Sequence, residues 1–212
     1  MAKGKFITFE GGEGAGKSTQ VALLAAALRG TGRRVLETRE PGGSEGAEQI
    51  RELLVHGEVD RWDSTTEALL HFAARREHLV HTVLPALEAG TWVLSDRFAD
   101  STMAYQGYGQ DLGPGLIEAL YGLVVGEFRP DLTLVLDLPV DQGLRRAEGR
   151  GEGGDRYERM DGGFHERLRR GFLEIARGDP ARCVVIDASG AVEQVHKAVC
   201  AAVVRHLGID LP

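Results

Sequence analysis

Phe6-Ile7-Thr8-Phe9-Glu10-Gly11-Gly12-Glu13-Gly14-Ala15-Gly16-Lys17-Ser18-Thr19 is the stretch that decides how this chain folds. Phe6 to Phe9, β-branched and aromatic, predict a buried strand, and Val21 to Leu28 predict the apolar face of a helix. Between them, Gly11-x-x-x-x-Gly16-Lys17-Ser18 fits the phosphate-binding loop pattern without a mismatch. Glycines at 11, 12, 14 and 16 permit backbone angles closed to other residues and let amides gather around phosphate oxygens. Those amides, from Gly12 through Ala15 to Thr19, lie at a helix N-terminus, where the macrodipole favours an anion. Lys17 can reach β- and γ-phosphates, and the Ser18 hydroxyl can ligate Mg²⁺. A glycine-rich turn with an ordinary surface lysine is the bland alternative, and the strand–loop–helix context argues against it. The stretch implies a nucleoside triphosphate site.

The rest of the composition bounds this reading. The 212 residues suffice for one well-buried core, so a single domain over 1–212 is expected. A formal charge of −7 argues against a general nucleic-acid surface, though a local cationic site for a small anion remains open. Met1 to Lys5 run directly into the first strand, which leaves no room for a signal peptide, and no apolar run has the length of a membrane span. Cys183 and Cys200 are distant in sequence and read as packed thiols of a reducing cytoplasm.

Outward from the loop, Val35 to Arg39 form a second short strand, and Arg39-Glu40-Pro41-Gly42-Gly43 follow at the end where open α/β sheets bind ligands. The turn admits a cis Glu40–Pro41 bond, and Arg39 is either an anion ligand or a surface charge. Ser44 to Val55 have helical spacing, and Ser64-Thr65-Thr66-Glu67 read as a capping box opening a helix that runs to about Leu87. Trp92 to Ser95 form a strand ending at Asp96-Arg97, where phosphate-loop enzymes place a Mg²⁺-linked acid and where an arginine can hold a phosphate bidentately. Phe98 to Gly109 has too few aliphatic residues for a core helix and reads as a pocket wall. Leu132 to Asp137 is a fourth strand. Then Arg145 to Arg159 set five arginines among glycines, either a solvated loop or a lid at about 145–160 that brings arginines over phosphates. A helix over 161–177, a strand at Cys183 to Asp187 and a helix from Val192 to Leu207 complete the order. Five buried strands alternating with helices predict a three-layer α/β fold around a mostly parallel sheet.

Taken together, several of these segments resemble the bacterial thymidylate kinases, a family of phosphate-loop nucleoside monophosphate kinases. They are Phe9 to Ser18, Thr38-Arg39-Glu40-Pro41-Gly42-Gly43, Asp96-Arg97-Phe98, Ala104-Tyr105-Gln106-Gly107 and Asp155-Arg156-Tyr157-Glu158. The resemblance implies transfer of the γ-phosphoryl group of ATP, with Mg²⁺, to dTMP, in a cytoplasmic homodimer. It implies that Lys17 and the loop amides hold ATP, that Ser18 and Asp96 face the metal, and that Arg39 and Arg97 clamp the acceptor phosphate. By the same resemblance Glu13 contacts the sugar, Thr102 and Gln106 read the thymine edge, Tyr105 lies near the 2′ position, and lid arginines Arg150 and Arg156 act in catalysis. The family places a stacking aromatic four residues before the arginine that bonds thymine. With Arg75 as that arginine the position is His71, and with Phe72 as stacker the arginine is Arg76; Phe72 stacking with Arg75 bonding is the expectation. Another monophosphate kinase, or a nucleotide-dependent switch protein, would share the loop and differ in the base pocket or the lid.

Overall fold

In a computed structural model, residues 3–149 and 156–211 are described. Five strands, β1 (Phe6–Glu10), β2 (Val35–Arg39), β3 (Trp92–Asp96), β4 (Leu132–Asp137) and β5 (Cys183–Asp187), form one sheet in the order β2-β3-β1-β4-β5. All four pairings are parallel, with Phe9 opposite Asp96 on one side and Leu134 on the other. Every residue of β1 is buried, as a strand covered on both faces requires.

Alternation along β1 divides its side chains between the two faces. Ile7 and Phe9 enter the main core with Leu24 and Leu28 of α1 (Lys17–Gly30) and Val199 and Val203 of α9 (Val192–Leu207). Phe6 points oppositely, against Phe98, Val93 and Leu79. Thr8 and Glu10 share that second face, where the Thr8 and Thr133 hydroxyls meet at 2.8 Å.

The second face is covered by less regular helices. α2 (Glu45–Val55) is capped by Ser44, whose Oγ accepts from Ala47 N. α3 (Ser64–His78) is capped by Asp63, which accepts from Thr65 and Thr66 N, so the expected Ser64–Glu67 box does not form. Wider turns over Leu79–Val83 lead from α3 into α4 (Leu84–Glu88). The predicted pocket wall is a short helix, α5 (Ala99–Thr102), continued by wide turns at Met103–Gly109, a distortion common at ligand sites. α6 (Pro114–Val124), α7 (Val140–Glu148) and α8 (Gly162–Gly178, capped by Asp161) complete the layers. No helix among the described residues is long and apolar enough to cross a membrane.

Candidate active site

The C-terminal ends of β1, β2 and β3 open onto a cavity of about 290 Å³. Its floor is the phosphate loop, and three glycines there carry the conformation. Gly11, Gly14 and Gly16 have φ of 134°, 66° and 88°. A Cβ on Gly14 would lie 2.1 Å from the carbonyl oxygen of Gly143, so the loop packs directly on α7, the root of the predicted lid. Lys17 is folded back on its own loop, donating to Gly12 O at 2.9 Å and Gly11 O at 3.2 Å. Burial and the neighbouring Arg97 press its ammonium below the usual lysine range, against Glu13, Asp96 and Glu10. Ser18 and Thr19 are exposed in the first turn of α1.

Asp96 and Arg97 take up different roles at the end of β3. The Ser18 Oγ donates to Asp96 Oδ2 at 2.5 Å, which brings two hard oxygen donors together beside the loop. Arg97 holds a left-handed backbone, φ 71°, rare outside glycine. It is pinned there: its N–H donates to Phe9 O at 2.9 Å, and Ser95 Oγ donates to its carbonyl at 2.7 Å. The next amide, Phe98 N, donates to Glu10 at 2.7 Å. This backbone turns the guanidinium across the cavity floor to Gly11 O at 3.0 Å and Glu13 Oε1 at 2.9 Å. The Tyr105 hydroxyl also donates to Glu13, and its ring lies 4.9 Å beneath Arg97. Burial alone would raise the Glu13 carboxyl, but Arg97, Lys17 and Tyr105 hold it down at about 2.

The far end of the cavity is built on α3. Arg75, 1% exposed, donates from Nε to Glu40 Oε2 at 2.8 Å and from Nη2 to Phe98 O and Thr102 Oγ1. Glu40 also meets His78 Nδ1 at 2.9 Å, and His78 Nε2 meets Thr38. A fully buried guanidinium requires such a partner set. Its remaining nitrogen, Nη1, has no partner among the described residues. Gln106, wholly buried, donates its amide to Glu67 Oε1 at 2.6 Å while its carbonyl oxygen is likewise unpartnered.

The base-stacking expectation requires correction. Phe72 does not line the cavity; it is buried against Ala68 and Ile117, its ring 4.8 Å from the Arg75 guanidinium. His71, one residue earlier and four before Arg75, lines it instead, with Nε2 2.8 Å from Tyr157 Oη. Burial and the nearby Arg75, Arg156 and Arg97 hold His71 neutral, at about 3. A second correction concerns Arg156. The side chain expected over the phosphates is fully buried and bonded to Glu67, Leu54 O and Val59 O. With a further bond to the Tyr157 hydroxyl at 3.1 Å, these contacts anchor the side chain outside the cavity lining. Arg150 lies outside the described residues. Arg39 lines the cavity but extends into solvent, paired with Glu48 at 3.1 Å.

The sequence model of the thymidylate kinase family matches residues 9–199. The chain belongs to this family. It is 56% identical to the thymidylate kinase of Caulobacter vibrioides over 209 residues, covering 99% of this chain and all of that one. It is 52% identical to the thymidylate kinase of Gluconobacter oxydans, over 98% of both chains. A crystal structure of thymidylate kinase from Ehrlichia chaffeensis superposes with a TM-score of 0.76 at 37% identity, over 95% of this chain and 99% of that one. Two cavity residues of this thymidylate kinase family member, Arg51 and Glu40, and one behind it, Glu67, carry no motif of their own for a site role. Arg51 lines the cavity and donates to Pro41 O at 2.8 Å. Glu40 fixes Arg75, and Glu67 fixes Gln106. Arg51 stands four residues after the buried Ala47 and three before the buried Leu54, a spacing that could have found it; nothing local marks the two glutamates.

Proposed function

We propose that the chain transfers the γ-phosphoryl group of ATP to the 5′-phosphate of dTMP, giving ADP and dTDP. One observation carries this reading. A single cavity is lined by the phosphate-loop residues Glu13, Lys17 and Ser18 and by Arg75 and Gln106, whose Nη1 donor and Oε1 acceptor are buried without a partner among the described residues. The imide edge of thymine, with its O4 acceptor and N3–H donor, complements that pair. Leaving either group unpaired costs on the order of 1–3 kcal/mol, so an acceptor base with the reversed pattern is disfavoured.

In this reading Lys17 and the loop amides grip the ATP phosphates, and Arg97 and Arg39 receive the acceptor phosphate with Arg51 nearby. Glu13 binds the sugar, and the Tyr105 ring occupies the space a 2′-hydroxyl would need. A phosphate oxygen is already nucleophilic, so the side chains position both substrates in line and stabilise spreading negative charge; no general base is required. Ser18 and Asp96 suit Mg²⁺, which takes one or two protein oxygens and completes its shell with phosphates and water. Bound there, the ion would neutralise charge on the donor phosphates. Arg150 remains the candidate lid arginine, with Arg145 exposed at the lid's root. We further propose a homodimer, because Leu69 of α3 and Leu123 of α6 leave apolar surface exposed at 50% and 83%, and a cytoplasmic location, as the resemblance implies. A coupled ADP-release assay across dTMP, dUMP, AMP, GMP and CMP tests the acceptor. Preference for any purine monophosphate would overturn the assignment.

A further inference from the structure

Glu67, in the first turn of α3, is wholly buried and stands behind the cavity rather than in its lining. Its two oxygens are fully engaged. Oε1 accepts from Gln106 Nε2 at 2.6 Å and from Gln110 Nε2 at 2.8 Å, and Oε2 accepts from Arg156. A carboxylate offers acceptors only. Gln106 therefore cannot present its carbonyl to Glu67 without opposing two acceptors in a buried site, and its amide has one stable orientation. That orientation leaves Oε1 as the atom without a partner, in a side chain that lines the cavity.

We propose that Glu67 is the positioning residue that sets the hydrogen-bond polarity of the base pocket. By claiming the NH₂ of Gln106 it leaves an acceptor for the base, beside the donor of Arg75. The pocket then selects a pyrimidine with an N3–H and a C4 carbonyl over one with a bare N3 and a C4 amine. Arg156 completes the device, because its guanidinium requires an acceptor on its side of Glu67 and so fixes which way any substitute amide would turn. This role rests on dTMP being the acceptor.

The test compares dTMP with 5-methyl-dCMP, which has the same outline and the reversed edge, as kcat/KM for the parent and for Glu67→Gln. Arg156 will draw the carbonyl of the new amide, turning its NH₂ toward Gln106 and forcing the Gln106 amide to invert. We expect the preference for dTMP to fall at least tenfold, mostly through KM, with a double-mutant cycle against Gln106→Leu showing strong non-additivity. The pair Glu67→Leu/Arg156→Met leaves no unpaired buried charge and no acceptor for the Gln106 amide, which guards against misfolding; it too should lose the preference. Equal losses for both nucleotides, with the ratio intact in both variants, would make Glu67 a structural residue and overturn the proposal. A parent that does not turn over dTMP would instead defeat the acceptor assignment itself.

Discussion

Replacing Lys17 by Met tests the transition-state argument most directly, because the aliphatic stem survives and only the ammonium is lost. Folding should hardly notice. Gly11 O keeps its bond from Arg97 at 3.0 Å, and Gly12 O, on a half-buried residue, gives up the Lys17 donor. Burial already disfavours the Lys17 charge, so removing it relieves desolvation. The kinetic cost is of another size. A unit charge about 4 Å from the transferring oxygens, at an effective dielectric constant near 20, contributes roughly 4 kcal/mol. If that interaction strengthens only as charge spreads in the transition state, kcat should fall by ~10³ while KM for dTMP moves less than about threefold. Coupled ADP release gives both constants, and thermal melting guards the fold. A kcat within tenfold of the parent, at unchanged melting temperature, would refute the role assigned to this lysine.

Other outcomes follow from the same geometry. Tyr105→Phe should keep discrimination against the ribonucleotide, whereas Tyr105→Ala should weaken it about tenfold, read as the kcat/KM ratio for dTMP and its ribo counterpart. His71→Ala should raise KM for dTMP several-fold with little change in KM for ATP, since the ring lines only the acceptor end; equal changes in both would point to a packing role. Arg39→Ala should raise KM for dTMP without lowering the melting temperature measurably, because the Arg39–Glu48 pair is exposed. Glu10 gives a pH signature. Burial, with Asp100 beside it, raises its carboxyl from 4.5 to about 8, so the folded state holds the proton more tightly than the unfolded chain. Its contribution is whole below pH 4.5 and is lost as pH rises toward 8, so melting curves of the parent should decline across that window and those of Glu10→Gln should decline less.

The strands and the loop were legible because their signals are local. Buried parallel strands are continuous apolar runs, and the phosphate loop needs glycines at fixed offsets. Ser18 and Asp96 could be brought to the cavity from sequence for the same reason, each standing at the end of its strand or loop. What escaped was set by contacts distant in sequence. Ser64 to Glu67 spell a capping box, yet Asp63 takes the cap, and Glu67 is claimed by Gln106 and Arg156, 39 and 89 residues away. No local pattern distinguishes a first-turn glutamate that caps from one that turns inward. The choice between His71 and Phe72 turned on a rotation of about 100° per residue along α3. Hydrophobicity favoured Phe72 for a base pocket, but the core against Ile117 competes for the same ring and wins. Arg156 was misplaced because a glycine-rich arginine run gives no sign of which member has a buried acid waiting.

Two kinds of arginine surround the cavity. Arg75 and Arg156 are inaccessible and tied to Glu40 and Glu67, pairs whose disruption would strand a buried charge at a cost of roughly 3–5 kcal/mol. Such groups cannot exchange partners during turnover; they fix the shape and polarity of the base end. Arg39 and Arg97 are held more lightly. Arg39 is over half exposed, and its pair with Glu48 contributes little. Arg97 shares Glu13 with Tyr105, so the carboxylate stays hydrogen-bonded if the guanidinium turns to a phosphate. A chain with a net charge of −7 can therefore present a site for dianions. In the proposed reading its acids neutralise Arg39 and Arg97 only until a phosphate arrives, whereas Glu40 and Glu67 hold Arg75 and Arg156 permanently.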